Sequence, residues 1–336
     1  MNNLKGTIGS IFRFLGRLWS NAVKLVGSFV LLLMLFVIAA VFFVDTQPAP
    51  KKVDGQLIRR GSAERIAVVS LSGQIMQTAS DQNLLSIDPF LITPSRTRAI
   101  INQLESDQTI KAVVVDLNSP GGSVVASDEI YQQFKQLDQK LPVIFRLNET
   151  GASGGYYLSL AGRQIVASPA TITGSIGVIA YSPNVSGLMG KLGVELNVFK
   201  SGPYKDMGNP AREVSATEEE IFQSLVDDSY QMFVEVIAAE RELEKEQVLQ
   251  LADGRIYSGI QAQQNGLIDQ VGGLTEAIDL AATEASLDDP TVFVYQTGGW
   301  WSSLLNSKLG QVKLSLLGQE LSRSIPSAGL YYLWVN

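Results

Sequence analysis

KAVVVDLNSPGGSVVASDEIYQQFKQL, residues 111–137, decides the fold. Its first seven residues are a near-continuous β-branched run, the pattern of a strand buried on both faces. Asn118 to Val124 then gives a Pro-Gly-Gly turn, and residues 123–137 carry helical spacing. A buried strand, a tight turn and a helix form one unit of an α/β protein. The same alternation runs outward in both directions. IAVVSLSG (66–73) reads as a strand ending in glycine, and residues 95–107 as a helix with Ile100, Ile101 and Leu104 on one side. PVIFRL (142–147), QIVASP (164–169) and LNVFK (196–200) read as further strands. Residues 216–241 form a long amphipathic helix with an acidic first turn, which suits the helix dipole. Two shorter helices follow, with Gly266 as a C-cap. Repeated βα units with buried strands predict helices packed around parallel sheet.

The strand at 142–147 leads into NETGASGGYY, Asn148 to Tyr157, where Ser153 is surrounded by Gly151, Ala152, Gly154 and Gly155. Small residues permit a sharp turn that projects a hydroxyl and leaves room for a substrate backbone. The bland alternative is an N-cap serine at a close-packed strand-helix junction. The chain has no histidine and no cysteine. That excludes a Ser-His-Asp triad, a cysteine nucleophile and most zinc sites. A nucleophilic Ser153 then needs another base, and lysine serves if it is neutral near pH 7. KSGPYKDMGNP (200–210) offers Lys200 and Lys205 on a Gly/Pro-rich loop, and TGSIG (173–177) offers a further hydroxyl, Ser175. Backbone N–H groups at Pro120-Gly121-Gly122 suit a developing oxyanion. Taken singly, the Pro-Gly-Gly stretch reads equally well as a plain strand-to-helix loop, Ser175 reads as a turn serine, and the two lysines read as ordinary surface-loop residues.

Outside this region the chain divides by composition. Residues 1–24 hold Lys5, Arg13, Arg17 and Lys24 and no acids; residues 25–44 are uncharged and as a helix span roughly 30 Å, a bilayer core. They read as an uncleaved transmembrane helix, with no small-x-small cleavage site after it. The basic tail puts the N-terminus in the cytoplasm and the body on the exported side of the inner membrane. Residues 45–62 read as a linker, 63–285 as the catalytic domain, and 286–336, with three of the four tryptophans, as a C-terminal appendage. The net charge of −7 argues against nucleic acid as a partner.

VVVDLNSPGGSV, ASGGYYLS, ITGSIGV, SGPYKDMGNPAREVS and GRIYSGIQAQQNGLIDQVGG, in that order between about Ile66 and Ile278, resemble the signal peptide peptidase A family in its short, membrane-anchored form. The resemblance implies a crotonase/Clp-protease-like fold of repeated ββα units and a serine endopeptidase that degrades cleaved signal peptides and other membrane-derived peptides. It implies Ser153 as nucleophile, Lys205 rather than Lys200 as general base, Ser175 as the hydroxyl that positions the amine, and Gly122 and Gly154 as backbone oxyanion donors. It implies no cofactor and no metal. It also implies a ring- or dome-shaped homo-oligomer whose sites are shared between subunits. Arg146 to Gly151 departs from the family's apolar-small sequence there, which bears on substrate contacts. Two other readings are an acyl-CoA-binding enzyme on the same superfold, for which the serine and lysine have no task, and a non-catalytic membrane scaffold.

Overall fold

A computed structural model describes residues 55–77 and 91–295 and the backbone of residues 330–333. The tail at 1–24 and the span expected at 25–44 lie outside the described residues. Among those described, no helix is long and apolar enough to cross a membrane.

The main sheet is built on β2 (Arg65–Ser72), β5 (Ile110–Ser119), β7 (Val143–Ala152) and β8 (Gln164–Ala167), all parallel. β13 (Thr291–Tyr295) extends it in parallel beyond β2, and β1 (Gly55–Arg59) closes that edge antiparallel to β13. β12 (Gln270–Val271) joins β8. β9 (Ile172–Gly174) pairs with the far end of β7, and β11 (Ile256–Ser258) runs antiparallel to β9. Thus a strand lies within the stretch read as a linker, and another lies beyond Ala285; both belong to the main sheet.

β5 shows why its sequence reads as it does. Val113, Val115 and Leu117 face one core, with α1 (Pro94–Ser106), α2 (Val124–Asp138), α3 (Gly154–Ser159) and α5 (Ala216–Arg241). Ala112 and Val114 face a second core, beneath α8 (Leu274–Glu284). All five side chains are fully buried. Each buried valine or leucine contributes about 1.5–3 kcal/mol relative to exposure, so neither face tolerates a polar residue.

A second, shorter sheet runs in the order β10 (Ile179–Ala180), β14 (Leu330–Leu333), β6 (Gly121–Ser123), β3 (Gln74–Ile75), β4 (Leu91–Ile92). β2 passes into β3, then β4 and α1, and β5 passes into β6 and then α2. β2 and β5 thus each send short strands into the second sheet before a helix, whereas β7 passes directly into α3. The Pro-Gly-Gly stretch, expected as a turn, is a strand: the chain breaks at Pro120, Gly121 takes φ +99°, and Gly122 pairs with Ile75.

One expected strand is absent. Residues 196–200 form no strand, and every residue from 191 to 200 is exposed. Leu196 and Val198 alternate as a strand should, but no described strand edge takes them. This arm includes one short helix, α4 (Ser186–Leu192). α5, by contrast, begins at Ala216 and ends at Arg241 as its pattern predicts. Ser215 and Glu218 form a reciprocal cap at its start. Gly266 takes φ +75° directly after α7 (Gly259–Gln264) and its cap Asn265.

Candidate active site

Ser153 stands between the end of β7 and the start of α3. Its backbone has φ 54° and ψ −120°, a region that residues other than glycine occupy at a cost of about 1–3 kcal/mol. The surroundings hold it there. Its N–H donates to the Gly174 carbonyl at 2.7 Å, and its own carbonyl accepts from the Tyr157 N–H at 2.9 Å. Gly155 lies so close to β5 that a Cβ there would sit 2.7 Å from the Ser119 carbonyl oxygen. Tyr156 and Tyr157 anchor the helix: their hydroxyls donate to the Leu267 carbonyl and to Asp128.

Ser153 is 1% exposed, and its Oγ has no hydrogen-bond partner among the described residues. It does not cap α3 through its side chain. The N-cap alternative therefore fails, because a capping serine spends its hydroxyl on the helix. A buried, unpaired hydroxyl costs about 1–3 kcal/mol. Strain and an orphaned hydroxyl at one residue make Ser153 the leading candidate for a chemical role.

The sequence reading missed the residues that frame this serine. The Ser119 hydroxyl accepts the Gly121 N–H at 3.1 Å, and the Asn118 side chain accepts the Thr150 N–H at 3.1 Å. The Thr173 hydroxyl donates to the Gly151 carbonyl at 2.6 Å. These bonds tie together the loop ends of β5, β7 and β9. Ser and Thr after a strand were the available signal, too common to single out. The polar stretch 146–151 also finds partners: Asp116 and Arg146 are directly opposite across β5 and β7 and form an ion pair at 2.6 Å.

Gly122 is a structural necessity as well as a candidate donor. A Cβ there would meet the Ile75 carbonyl oxygen at 1.9 Å. Gly122→Ala is expected to push β3 off β6 and cost about 1–3 kcal/mol of stability. On the reading of the Gly122 N–H as an oxyanion donor, its displacement is expected to lower peptide hydrolysis more than a hundredfold in the fraction that stays folded. Urea unfolding and initial-rate assays on the same preparation measure both effects.

Ser175 is buried and also takes a positive φ, 48°, with its N–H donating to the Arg255 carbonyl at 2.8 Å. It lines a 520 Å³ cleft with Val178, Tyr181, Tyr230 and Asp253. β9 links Ser175 to Ser153, because the Gly174 carbonyl that holds Ser153 precedes it.

Lys205 lies apart. It is exposed, on a loop whose turn is closed by its N–H donating to the Gly202 carbonyl. Within one chain it makes no hydrogen bond to Ser153. The two lysines of this loop differ. The Lys200 ammonium is tied to Asp206 at 2.7 Å and to the Pro203 carbonyl, whereas Lys205 makes no ion pair among the described residues. Asp206, the next residue, is held by Arg212, which also binds Glu218 at the start of α5 with contacts of 2.5 and 2.8 Å. Hydrogen bonds from Arg212 and then Lys200 hold the Asp206 carboxyl far below its ordinary range. Arg212, followed by the Ser215 backbone, lowers Glu218 to about 2.

This clamp gives a pH prediction. Both carboxyls are more acidic folded than unfolded, so the clamp is at full strength above the ordinary carboxylate range. It fades as pH falls through the lowered values. The loop is expected to keep its protease resistance at neutral and mildly acidic pH, to weaken once pH drops below the ordinary carboxylate range near 4, and to lose that resistance as pH falls to about 2. Arg212→Met is expected to open the loop at pH 7 and to lower kcat roughly tenfold to a hundredfold, because small misplacements of a reacting group carry that penalty. Limited proteolysis across a pH series checks the first outcome, and steady-state kinetics the second.

A strained, buried serine on an α/β scaffold, in a chain without imidazole or thiol, fits a serine-type peptidase with a base other than histidine, and the family comparisons give that class. Residues 135–288 match the model of peptidase family S49. The chain is 39% identical over 255 residues to a putative signal peptide peptidase SppA of Enterococcus faecium, covering 74% of this chain and 73% of that protein. It is 43% identical over 203 residues to a putative protease of Synechocystis, covering 60% and 73%. It is 33% identical over 268 residues to a putative protease of Methanocaldococcus jannaschii, covering 80% and 86%. The chain belongs to peptidase family S49, the signal peptide peptidase A family.

Proposed function

We propose that this chain is a membrane-anchored endopeptidase that degrades cleaved signal peptides and other membrane-derived peptides through a Ser153–Lys205 dyad. The observation that carries the reading is the Ser153 hydroxyl, buried without a partner on a strained backbone. Neutral Lys205 removes the hydroxyl proton as Oγ attacks a peptide carbonyl. The N–H groups of Gly122 and Gly154 hold the oxyanion, each worth about 3 kcal/mol of barrier. The protonated lysine then gives its proton to the leaving amine, and an acyl-enzyme remains. Water, deprotonated by the same amine, completes hydrolysis. Ser175 orients the amine.

In this reading Lys205 reaches the Ser153 of a neighbouring copy. The Ser153 hydroxyl makes no hydrogen bond to a lysine of its own chain, while Lys205 is displayed at the end of an arm that leaves Leu188, Leu192, Leu196 and Phe199 more than half exposed. Apolar surface of that extent calls for a partner. A second copy of the chain packed on the arm covers it and desolvates the amine, which favours its neutral form. The apolar run at 25–44 anchors residues 63–285 on the exported face of the inner membrane, next to peptides released into the bilayer. The order of long strand, short strand and helix in β5–β6–α2, and of long strand, two short strands and helix in β2–β3–β4–α1, supports the crotonase/Clp-like superfold.

Labelling with a fluorophosphonate tests the nucleophile. The unsubstituted protein is expected to take up one label per chain, at Ser153, and the Ser153→Ala variant none. Equal labelling of the two would refute the assignment.

A further inference from the structure

Of the two glycines that follow Pro120, the first has its N–H spent within the chain. The Gly121 N–H donates to the Ser119 hydroxyl at 3.1 Å. This is the local turn that serine favours, with its Oγ standing in for a backbone carbonyl. Pro120 lies between the two, with no N–H and a fixed φ, so the bond closes a segment that has little other freedom. It holds the chain where Gly121 takes φ +99° and β5 passes into β6. Gly122, the candidate oxyanion donor, comes next. Ser119 also reaches the opposite side of the site. It pairs directly across from Gly151 in β7, two residues before Ser153. The start of α3 packs against it: a Cβ on Gly155 would lie 3.2 Å from the Ser119 Cβ and 2.7 Å from its carbonyl oxygen. Gly155 adjoins Gly154, the second candidate donor.

One buried serine thus grips the turn before Gly122 by a hydrogen bond and the turn at Gly154 by close packing. We propose that Ser119 is a positioning residue for peptide hydrolysis: its hydroxyl sets the separation of the Gly122 and Gly154 N–H groups so that both aim at one oxygen. The inference rests on the reading of those groups as the oxyanion hole of a Ser153 nucleophile. Ser119 is fully buried, so it meets no substrate and acts through Gly121. Oxyanion donors stabilise charge only when they are aimed at the place where it develops. A limb that swings away therefore loses transition-state stabilisation and leaves ground-state binding as it was.

Ser119→Ala is expected to lower kcat about tenfold to a hundredfold with KM within about twofold of the unsubstituted protein. The deciding readout is a pair of inhibitors built on one peptide sequence, a C-terminal aldehyde and the corresponding alcohol. With the aldehyde, the Ser153 Oγ bonds to the carbonyl carbon, the π pair moves to the oxygen in the hole, and the serine proton passes to the base. The alcohol forms no such bond. The preference for aldehyde over alcohol is expected to fall in Ser119→Ala by the same factor as kcat, with the affinity for the alcohol unchanged. Ser119→Cys fills nearly the same space with a weak acceptor; it is expected to lose the preference in the same direction, and it carries the test if Ser119→Ala fails to fold. A preference kept in both variants would overturn the positioning role and leave Ser153 standing. Alcohol binding lost in step with aldehyde binding would show a serine that only supports the fold, and would overturn it too. A preference already absent from the unsubstituted protein would overturn the reading of Ser153, and this proposal with it.

Discussion

Ser153→Ala is expected to lower kcat for peptide hydrolysis by about 10⁴–10⁶, the loss seen when a serine nucleophile is removed from a preorganised site. KM is expected to change little, because the hydroxyl contributes to the transition state and not to substrate binding. Stability should move the other way. The hydroxyl is buried and unpaired, so alanine removes a desolvation penalty without leaving a large cavity. The backbone strain persists, since alanine resists φ 54° as serine does. A midpoint raised by roughly 2 °C is the expected calorimetric result for a chain of this length. That combination separates a functional serine from a structural one. A serine that held the β7–α3 junction together would lose stability on substitution and would affect activity only through unfolding. Undiminished hydrolysis by a purified, folded Ser153→Ala protein would end the assignment.

The sheet was legible because its strands are buried on both faces, and a run such as Val113–Val114–Val115 has few other readings. Helix starts were legible where side chains cap them, as Ser215 and Glu218 do for α5. Residues 196–200 misled because alternation states only that a strand suits a half-buried surface; it does not supply the edge. Gly121–Ser123 misled for the opposite reason. Two glycines argue for a turn, yet here the missing Cβ lets β3 lie against β6. Ser153 stood out through its small neighbours, but its strained backbone is held by the Gly174 carbonyl and by the close approach of Gly155 to Ser119, both remote in sequence. The clamp Asp206–Arg212–Glu218 lies within one short segment and still escaped notice, since charged residues on a loop usually face water.

On the proposed dyad, Lys205→Ala is expected to lower kcat by a factor comparable to Ser153→Ala, because a base and its nucleophile act as one unit and their losses do not add. Its further value lies in combination. If lysine and serine come from neighbouring copies, each inactive variant retains the half that the other lacks. Unfolding and refolding Ser153→Ala and Lys205→Ala together in equal amounts would then rebuild sites with both groups intact. In a ring of heterologous contacts, a site works when its serine comes from the lysine variant and its lysine from the serine variant, so about a quarter of the unsubstituted activity should return. Each variant refolded alone should remain inactive. The Ser153→Ala, Lys205→Ala double variant mixed with unsubstituted chains should reduce activity more steeply than dilution, since each double-variant chain disables sites on both sides. A mixture that stays inactive would place both groups of a working site in one chain and would require the 181–205 arm to fold back over its own α3. Loss of Leu192 and Phe199 to serine separates these outcomes again. An intermolecular site should lose its activity and its assembly together in gel filtration, whereas a site within one chain should keep the elution volume of the unsubstituted protein.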